Sequence, residues 1–143
     1  MRPQSLAIFL TLALAAFAAK AAPLPAPHQV DISASNLTLH AQLFKPEGNG
    51  PFPTVIALHG CGGLAGHSEP VLPRYRDWAE QFVRTGHAVL LPDSYGSREL
   101  GPQCRVRERE RHVLARKERV ADINAARQWL LQQAGARGCR RCF

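Results

Sequence analysis

The residues best suited to chemistry in this sequence form a glycine-rich turn, His59 to Gly63, at the end of an apolar run. The run, Thr54 to Leu58, has the composition of a buried strand, and His-Gly-Cys-Gly-Gly ends it abruptly. Glycine has no Cβ, so the main chain of such a turn can direct its N–H groups at a ligand. N–H groups aimed at one point stabilise the negative charge that develops on oxygen during acyl transfer. The turn therefore predicts half of an acyl-transfer site.

Cysteines are the other residues with chemistry of their own, and the chain has four. Cys61 and Cys104 each follow a strand-like run, and the carboxyl ends of parallel strands lie at one edge of a sheet. In an oxidising compartment a Cys61–Cys104 disulfide is therefore our hypothesis. Cys139-x-x-Cys142 has the spacing of a redox or zinc pair, but it lacks a following helix and a second pair of ligands. We interpret it as accidental and predict no metal site.

The turn needs a sheet to hold it, and the hydrophobic pattern predicts one. Apolar residues alternate with polar ones on both sides of Ser35-Asn36, which indicates a β-hairpin. A loop rich in proline and glycine, residues 45–53, leads from the hairpin to the apolar strand Thr54–Leu58. A second short apolar strand, Ala88–Leu91, is closed by Pro92-Asp93.

Two amphipathic helices complete the pattern. One covers Arg74 to Thr85 and is stopped by Gly86, and the other ends at Gly135. The apolar positions expected on one face of each helix are Tyr75, Trp78, Ala79, Phe82 and Val83 in the first, and Val120, Ile123, Ala126, Leu130 and Leu131 in the second. Two buried strands flanking a helix form a right-handed βαβ unit. We therefore predict an α/β fold with a sheet that is at least partly parallel.

The first 22 residues have the pattern of an export signal. Arg2 precedes an apolar stretch, Leu6 to Phe17, that is too short to span a bilayer, and Ala19-Lys20-Ala21 offers small residues for cleavage near Ala21. A buried N-terminal helix is the alternative. We expect the mature protein to be periplasmic or secreted, without membrane association, and residues 23–28 to form a linker.

The formal charge of +7 does not predict a nucleic-acid partner. Two of the basic residues lie in the export signal and three in the last nine residues, which leaves +2 for the body of the chain. A basic stretch, residues 105–119, contains seven Lys or Arg and three Glu, but no aromatic residue that could stack on a base. We interpret this stretch as a solvated loop and helix start with internal ion pairs.

Taken in order, these motifs resemble a known family. The motifs that carry the resemblance are the hairpin, His59-Gly60-Cys61-Gly62-Gly63-Leu64, Tyr75-Arg76-Asp77-Trp78-Ala79, Val89-Leu90-Leu91-Pro92-Asp93-Ser94-Tyr95-Gly96-Ser97-Arg98, Gln103-Cys104 and Arg119-Val120-Ala121-Asp122. Residues 29–134 resemble the N-terminal half of an exported dienelactone hydrolase-like protein of the α/β-hydrolase superfamily. The resemblance implies an incomplete α/β-hydrolase fold, consisting of the hairpin, the parallel βαβ unit and a further helix.

The resemblance also implies roles for the turn. In α/β-hydrolases the loop after this strand supplies one N–H of the oxyanion hole, and Cys61 or Gly62 is the backbone donor here. His59, Gly60 and Gly63 are expected to shape the loop rather than to react, and Asp93 to stabilise the turn after its strand. The expected substrate is a small ester or lactone, with no cofactor.

The nucleophile, the acid and the catalytic histidine of the family have no counterpart in this sequence. The family nucleophile lies in Gly-x-Nuc-x-Gly on a sharp turn between a strand and a helix. Gly66-His67-Ser68-Glu69-Pro70 has a similar pattern, but it follows no strand and has proline in place of the last glycine. Adjacent His67 and Ser68 side chains also cannot meet as base and nucleophile. We therefore expect no catalytic triad.

Residues 135–143 form an atypical Arg- and Cys-rich tail where the nucleophile strand is expected. Our preferred interpretation is a truncated or frameshifted product, and a naturally short protein is the alternative. Without that strand, Thr54–Leu58 becomes an open sheet edge that favours aggregation or self-association. The two functional hypotheses are an ester or lactone hydrolase represented by its N-terminal half, and a non-catalytic small exported protein or binding module that uses the glycine-rich turn.

Overall fold

The computed structural model describes Leu24 and residues 26–133. The predicted export signal and the Arg- and Cys-rich tail, including Cys139 and Cys142, lie outside the described residues. Neither helix among the described residues, of 12 and 15 residues, is long and apolar enough to cross a membrane.

The core of the fold is a mixed sheet of four strands: β1 (His28–Ala34), β2 (Leu37–Phe44), β3 (Thr54–Ile56) and β4 (Ala88–Pro92). Their order in the sheet is β1-β2-β4-β3. The hairpin strands β1 and β2 are antiparallel, β2 is antiparallel to β4, and β3 is parallel to β4. The predicted hairpin and the partly parallel sheet are therefore confirmed.

Strand β3 is shorter than the predicted strand Thr54–Leu58. Its three residues pair with β4 in the register that places Val55 opposite Val89. The Ala57 N–H still donates to the Leu90 carbonyl, at 2.9 Å, before the chain leaves the sheet. Among the described residues β3 pairs only with β4, so its other side is an open edge.

Each face of the sheet packs against one helix, because neighbouring residues of β4 point to opposite faces. Val89 and Leu91 pack in a cluster with helix α1 (Pro73–Arg84), and Leu90 packs in a cluster with helix α2 (Glu118–Gln132). The buried members of these clusters are Phe44, Leu64, Val71, Ala79, Val83, Val89 and Leu91 on the first face, and Ile32, Leu39, Ala41, Leu90, Ala126 and Leu130 on the second.

Helix α1 begins with Pro73, whose fixed φ suits the first turn, and ends at a glycine as predicted. Gly86 adopts φ +84°, its N–H donates to the Val83 carbonyl, and the His87 N–H donates to the Phe82 carbonyl. This pair of bonds satisfies the last carbonyls of the helix. One predicted position is wrong, because Trp78 is 63% exposed while Ala79 and Val83 carry the buried face.

The buried stripe of helix α2 also differs from the prediction. It consists of Asp122, Ala126 and Leu130, four residues apart, whereas Val120 and Leu131 are exposed. The predicted face was defined by apolar residues alone and therefore did not include the buried carboxylate of Asp122. The buried Asp122 carboxylate is paired with Arg98, which follows β4, while Ala126 and Leu130 on the same face pack against the sheet.

Candidate functional site

The glycine-rich turn lies at the carboxyl ends of β3 and β4, which share one edge of the sheet because the two strands are parallel. Residues 57–63 follow β3, and a second turn, residues 93–98, follows β4. The start of α1, the start of α2 and the segment 101–106 complete the surroundings. The contacts of residues 59–63 show how each of these parts holds the turn.

Two side chains from different helices hold the peptide between His59 and Gly60. The Arg119 guanidinium donates to the His59 carbonyl at 2.6 Å, and the Gly60 N–H donates to the Tyr75 hydroxyl oxygen at 2.8 Å. Arg119 also lies over the face of the Tyr95 ring, 5.8 Å from its centroid. Both ends of this one peptide are therefore fixed from outside the turn.

The His59 imidazole is buried and bonded at both nitrogens. Nδ1 lies 2.8 Å from the Gly60 carbonyl, and the Ser94 N–H donates to Nε2 at 3.2 Å. The Gly60 carbonyl oxygen can only accept a hydrogen bond, so Nδ1 carries the proton. Nε2 accepts the Ser94 N–H and therefore carries no proton, so the ring is neutral. Burial is the main cause that lowers the pKa of His59. The hydrogen bond to the Gly60 carbonyl opposes it, the charge of Arg119 lowers the pKa further, and the carboxylates of Asp93 and Asp122 act weakly against both.

The Cys61 residue is tied to a distant segment by two bonds. A disulfide joins Cys61 to Cys104, with the two Cα atoms 4.8 Å apart. The Gln103 N–H donates to the Cys61 carbonyl at 2.7 Å. This disulfide is the pair that the sequence indicates.

The tight bend of the turn depends on its glycines. Gly63 has φ +84°, a conformation that favours glycine, and its N–H donates to the Gly60 carbonyl at 3.2 Å. A Cβ on Gly62 would lie 3.3 Å from a guanidinium nitrogen of Arg74. Gly63 is therefore required by its backbone conformation, whereas a side chain on Gly62 would have to displace the end of Arg74 by a few tenths of an ångström.

Two consecutive N–H groups remain unbonded in this turn. Among the described residues no acceptor pairs with the Cys61 N–H or the Gly62 N–H, whereas the amides of Gly60 and Gly63 are both bonded. Cys61 is exposed and Gly62 is half-buried. The family resemblance implies one of these two amides as an oxyanion donor, and neither has an acceptor among the described residues.

The turn after β4 is held by a buried ion pair and by a carboxylate. Arg98 donates to both oxygens of Asp122, at 2.8 and 3.0 Å, and to the Ser94 carbonyl at 2.8 Å. Asp93 Oδ1 accepts the N–H groups of Tyr95 and Gly96, at 3.2 and 2.9 Å. These bonds place the Ser94 N–H where it meets His59.

Ser94, His59 and Asp93 lie together, but their bonding is structural. The Ser94 side chain is fully buried and its hydroxyl has no hydrogen-bond partner, and it is the backbone of Ser94 that contacts His59. Asp93 Oδ1 lies 3.7 Å from His59 Nε2 and is occupied by backbone amides. A nucleophile needs an exposed oxygen bonded to its base, and this group has neither.

The other sequence candidates stay apart from the turn's donors. His67 and Ser68 lie in an exposed loop in which the Gly66 N–H bonds to the Glu69 carbonyl. Within residues 26–133 no three His, Cys, Asp or Glu side chains gather in a metal-binding arrangement.

Several supporting residues have no signal of their own in the sequence. Tyr75 was assigned to a core-facing helix surface, although its hydroxyl receives the Gly60 amide. Arg119 was assigned to a solvated basic stretch, and this is wrong because it contacts His59 and Tyr95. The rest of the assignment fits Arg109–Glu110 and Lys117–Glu118, which are outward-facing ion pairs. Both Tyr75 and Arg119 stand in motifs that resemble the family, and this was the indication that either has a role.

No protein-family model and no curated protein sequence matches the chain. Solved structures do match. A dienelactone hydrolase from Anabaena variabilis superposes with a TM-score of 0.57 and 22% identity over 80% of this chain and 49% of that chain. The acylaminoacyl peptidase of Pyrococcus horikoshii gives a TM-score of 0.52 and 20% identity over 77% of this chain and 17% of that chain.

The fold is that of a partial α/β-hydrolase. The four-stranded mixed sheet with two helices matches part of each of these structures. The chain spans about half the length of the dienelactone hydrolase that it matches. At these identities the match describes the fold, and the chemistry has to be argued from the residues of the turn.

Proposed function

We propose that this chain is the N-terminal half of an exported hydrolase of small esters or lactones, and that it contributes the oxyanion-binding turn. The observation that carries the proposal is the pair of unbonded amides at Cys61 and Gly62 in a turn that is otherwise held by hydrogen bonds. The fold shared with a dienelactone hydrolase supports the reaction class.

The turn stabilises charge and takes no part in bond making. As a nucleophile attacks the substrate carbonyl, its oxygen becomes negative and is received by a backbone N–H of Cys61 or Gly62. Donors that are already in place need no reorganisation at that moment, and one such donor contributes about 3–4 kcal/mol to catalysis. His59 is neutral with both nitrogens engaged, so its role is to shape the turn.

The nucleophile, its acid and its histidine are proposed to come from sequence that the described residues do not include. The open edge of β3 is the place where a further parallel strand joins the sheet. Pro53 O and Ala57 N bond to β4, so the main-chain groups of Thr54 and Ile56 point to the open side. A strand added there would end beside the glycine-rich turn.

Export is proposed from the pattern of residues 1–22 and is supported by the Cys61–Cys104 disulfide, since such bonds persist in oxidising compartments. N-terminal sequencing of the protein recovered from a secreting host tests this. We expect a mature chain that begins near Ala22, and an intact N-terminus would contradict export.

Two measurements, ester turnover and the gene sequence downstream, test whether the nucleophile, the acid and the histidine come from outside the described residues. The purified chain is expected to hydrolyse an activated ester no faster than background, because among the described residues no exposed hydroxyl bonded to a base lies at the glycine-rich turn. The exposed Thr85 hydroxyl contacts His87 Nδ1 at 3.1 Å, but both residues precede β4 and so lie at the opposite end of that strand from the turn. Clear turnover that is abolished by Ser68→Ala would overturn this. A Gly-x-Ser-x-Gly or Gly-x-Cys-x-Gly sequence in any frame downstream of codon 135 would support a truncated hydrolase.

The donors themselves can be tested without catalysis. Methylphosphonate, a small tetrahedral anion, is titrated into the 15N-labelled chain while the amide resonances are followed. We expect saturable shifts at Cys61 and Gly62 with a Kd of the order of 1 mM, a binding free energy of about −4 kcal/mol. The bonded amide of Gly60 is the internal control. Shifts at Gly60 alone, or none, would argue against the oxyanion role.

The second candidate is a non-catalytic exported binding module that uses the same turn. The specific observation in its favour is that the hydrogen bonds and the disulfide that hold residues 59–63 are all made by residues of this chain that the structure describes. This candidate predicts saturable binding at Cys61 and Gly62 but no nucleophile motif in any downstream frame.

We further propose that copies of the chain associate through the open edge of β3. Thr54→Pro removes an outward N–H and leaves the bonds to β4 intact, whereas Thr54→Val keeps that N–H. Sedimentation velocity is measured at increasing protein concentration. The sedimentation coefficient of the proline variant is expected to stay below that of the wild-type chain, and the valine variant is expected to behave like the wild-type chain. Equal association of all three would refute the edge as the interface.

A further inference from the structure

We infer that the backbone amide of Gln103, held in place by the Cys61–Cys104 disulfide, positions one of the two candidate oxyanion donors, the Gly62 N–H. His59 positions the other candidate, the Cys61 N–H, by a separate route. The two donors therefore have independent supports, and only one of them depends on the disulfide. The catalytic meaning of this inference rests on the proposed function, but the positioning itself does not.

The planarity of the peptide group links each carbonyl of the turn to the N–H of the next residue. In a planar trans peptide, the carbonyl oxygen of one residue and the N–H of the next point in opposite directions. A bond that fixes the Gly60 carbonyl therefore fixes the direction of the Cys61 N–H. In the same way, a bond to the Cys61 carbonyl fixes the direction of the Gly62 N–H.

The two carbonyls have different kinds of partner. Gly60 O receives Nδ1 of the neighbouring His59 and the N–H of Gly63, both from within the turn. Cys61 O receives the N–H of Gln103, which lies far away in sequence. Among the described residues, this is the one donor to Cys61 O.

The segment 101–106 depends on the disulfide for its place. Gln103 is buried, but its side chain bonds to Gly101 O and its carbonyl receives the Val106 N–H, so these bonds stay within the segment. In the part of the chain that the structure describes, the segment bonds to the glycine-rich turn only through the Gln103 amide and the disulfide. Loss of the disulfide removes the covalent tie that keeps the Gln103 amide opposite Cys61.

Amide exchange and relaxation test this in the full 15N-labelled chain. We compare the oxidised protein with Cys61→Ser/Cys104→Ser. We expect exchange of the Gln103 amide to accelerate by about tenfold or more, and the Gly62 order parameter to fall from about 0.85 to below about 0.6. The Gly60 amide, bonded to Tyr75, and the Ala57 amide, bonded to β4, report the general loss of stability that removal of a disulfide causes. The Gln103 amide is expected to lose more protection than either of them, which separates lost positioning from general destabilisation.

If the double variant does not fold, the same comparison is made on the wild-type chain after reduction of its disulfide. The folded wild-type chain is treated with dithiothreitol, which reduces the disulfide to two thiols and is itself oxidised to its cyclic disulfide. The same loss at Gln103 and Gly62 is expected. Unchanged Gln103 protection and an unchanged Gly62 order parameter after reduction would overturn the inference, as would an equal loss at Ala57 and Gly60. Neither readout requires hydrolytic activity, so the proposed function is tested separately.

Discussion

Replacing Asp122 by asparagine tests how firmly the turn after β4 is held. Asp122 is 1% exposed and Arg98 18%, and two hydrogen bonds of 2.8 and 3.0 Å join them. Removing one partner of a buried pair leaves the other charge uncompensated, at a typical cost of about 3–5 kcal/mol. Asparagine keeps the shape and one acceptor oxygen, so we expect about 3 kcal/mol, a large part of the stability of a domain this size.

The assay is urea unfolding followed by tryptophan fluorescence, with Glu69→Gln as the matched control. The Arg76–Glu69 pair has an equally short contact of 2.7 Å, but its side chains are 38% and 54% exposed. A pair in that position contributes less than about 1 kcal/mol, because water solvates both charges. The two variants remove the same kind of charge and differ mainly in burial.

A small effect would refute the reasoning. If Asp122→Asn and Glu69→Gln change the free energy of unfolding by the same amount, burial does not increase the contribution of the Arg98–Asp122 pair to stability. Replacing both partners by apolar residues, Arg98→Met with Asp122→Leu, is expected to recover part of the loss, since no charge is then left buried. The recovery should be incomplete because Arg98 also bonds to the Ser94 carbonyl.

Three further predictions concern the glycine-rich turn. Gly63→Ala is expected to cost about 1–2 kcal/mol in urea unfolding because of φ +84°, whereas Gly101→Ala, in open space, should change stability by less than about 0.5 kcal/mol. The pKa of His59 is lower in the folded state than in the unfolded chain, so neutral His59 contributes fully to the free energy of unfolding above pH about 6.5, and this contribution is lost as the pH falls below about 6.5. In unfolding measured from pH 5 to 8, His59→Gln should therefore reduce the dependence of the free energy of unfolding on pH. The Cys61–Cys104 bond spans 43 residues, and removing both thiols is expected to lower the free energy of unfolding by up to about 4 kcal/mol.

Periodicity predicted the parts of the fold that depend on hydrophobic burial. The hairpin around Ser35-Asn36 and the apolar strand Ala88–Leu91 could be recognised because alternating or continuous apolar runs have few other interpretations. The glycine stop at Gly86 could be recognised because a positive φ strongly favours glycine. These signals are local, and the structure follows them.

Contacts between distant residues could not be predicted in the same way. Asp122 is polar, so the apolar pattern placed Val120 and Leu131 on the buried face of α2. The observed face instead combines the packing of Ala126 and Leu130 with the pairing of Asp122 and Arg98. Trp78 was assigned to the core by its type, yet Ala79 fills the position against the sheet. Each error arises because a helix has one face toward the sheet, and partners elsewhere in the chain select which one.

The proposed oxyanion role of the glycine-rich turn indicates a reaction class but no particular substrate. The supports of the turn come from α1, α2, the turn after β4 and the segment 101–106, all within one half of the hydrolase fold. That fold is shared by a dienelactone hydrolase and an acylaminoacyl peptidase, whose names describe different substrates. Stabilisation of an oxyanion is common to ester, lactone and peptide cleavage, since each forms the same tetrahedral centre. If the proposed function holds, selectivity comes from the elements that surround the acyl and leaving groups, and residues 59–63 supply a donor that such reactions share.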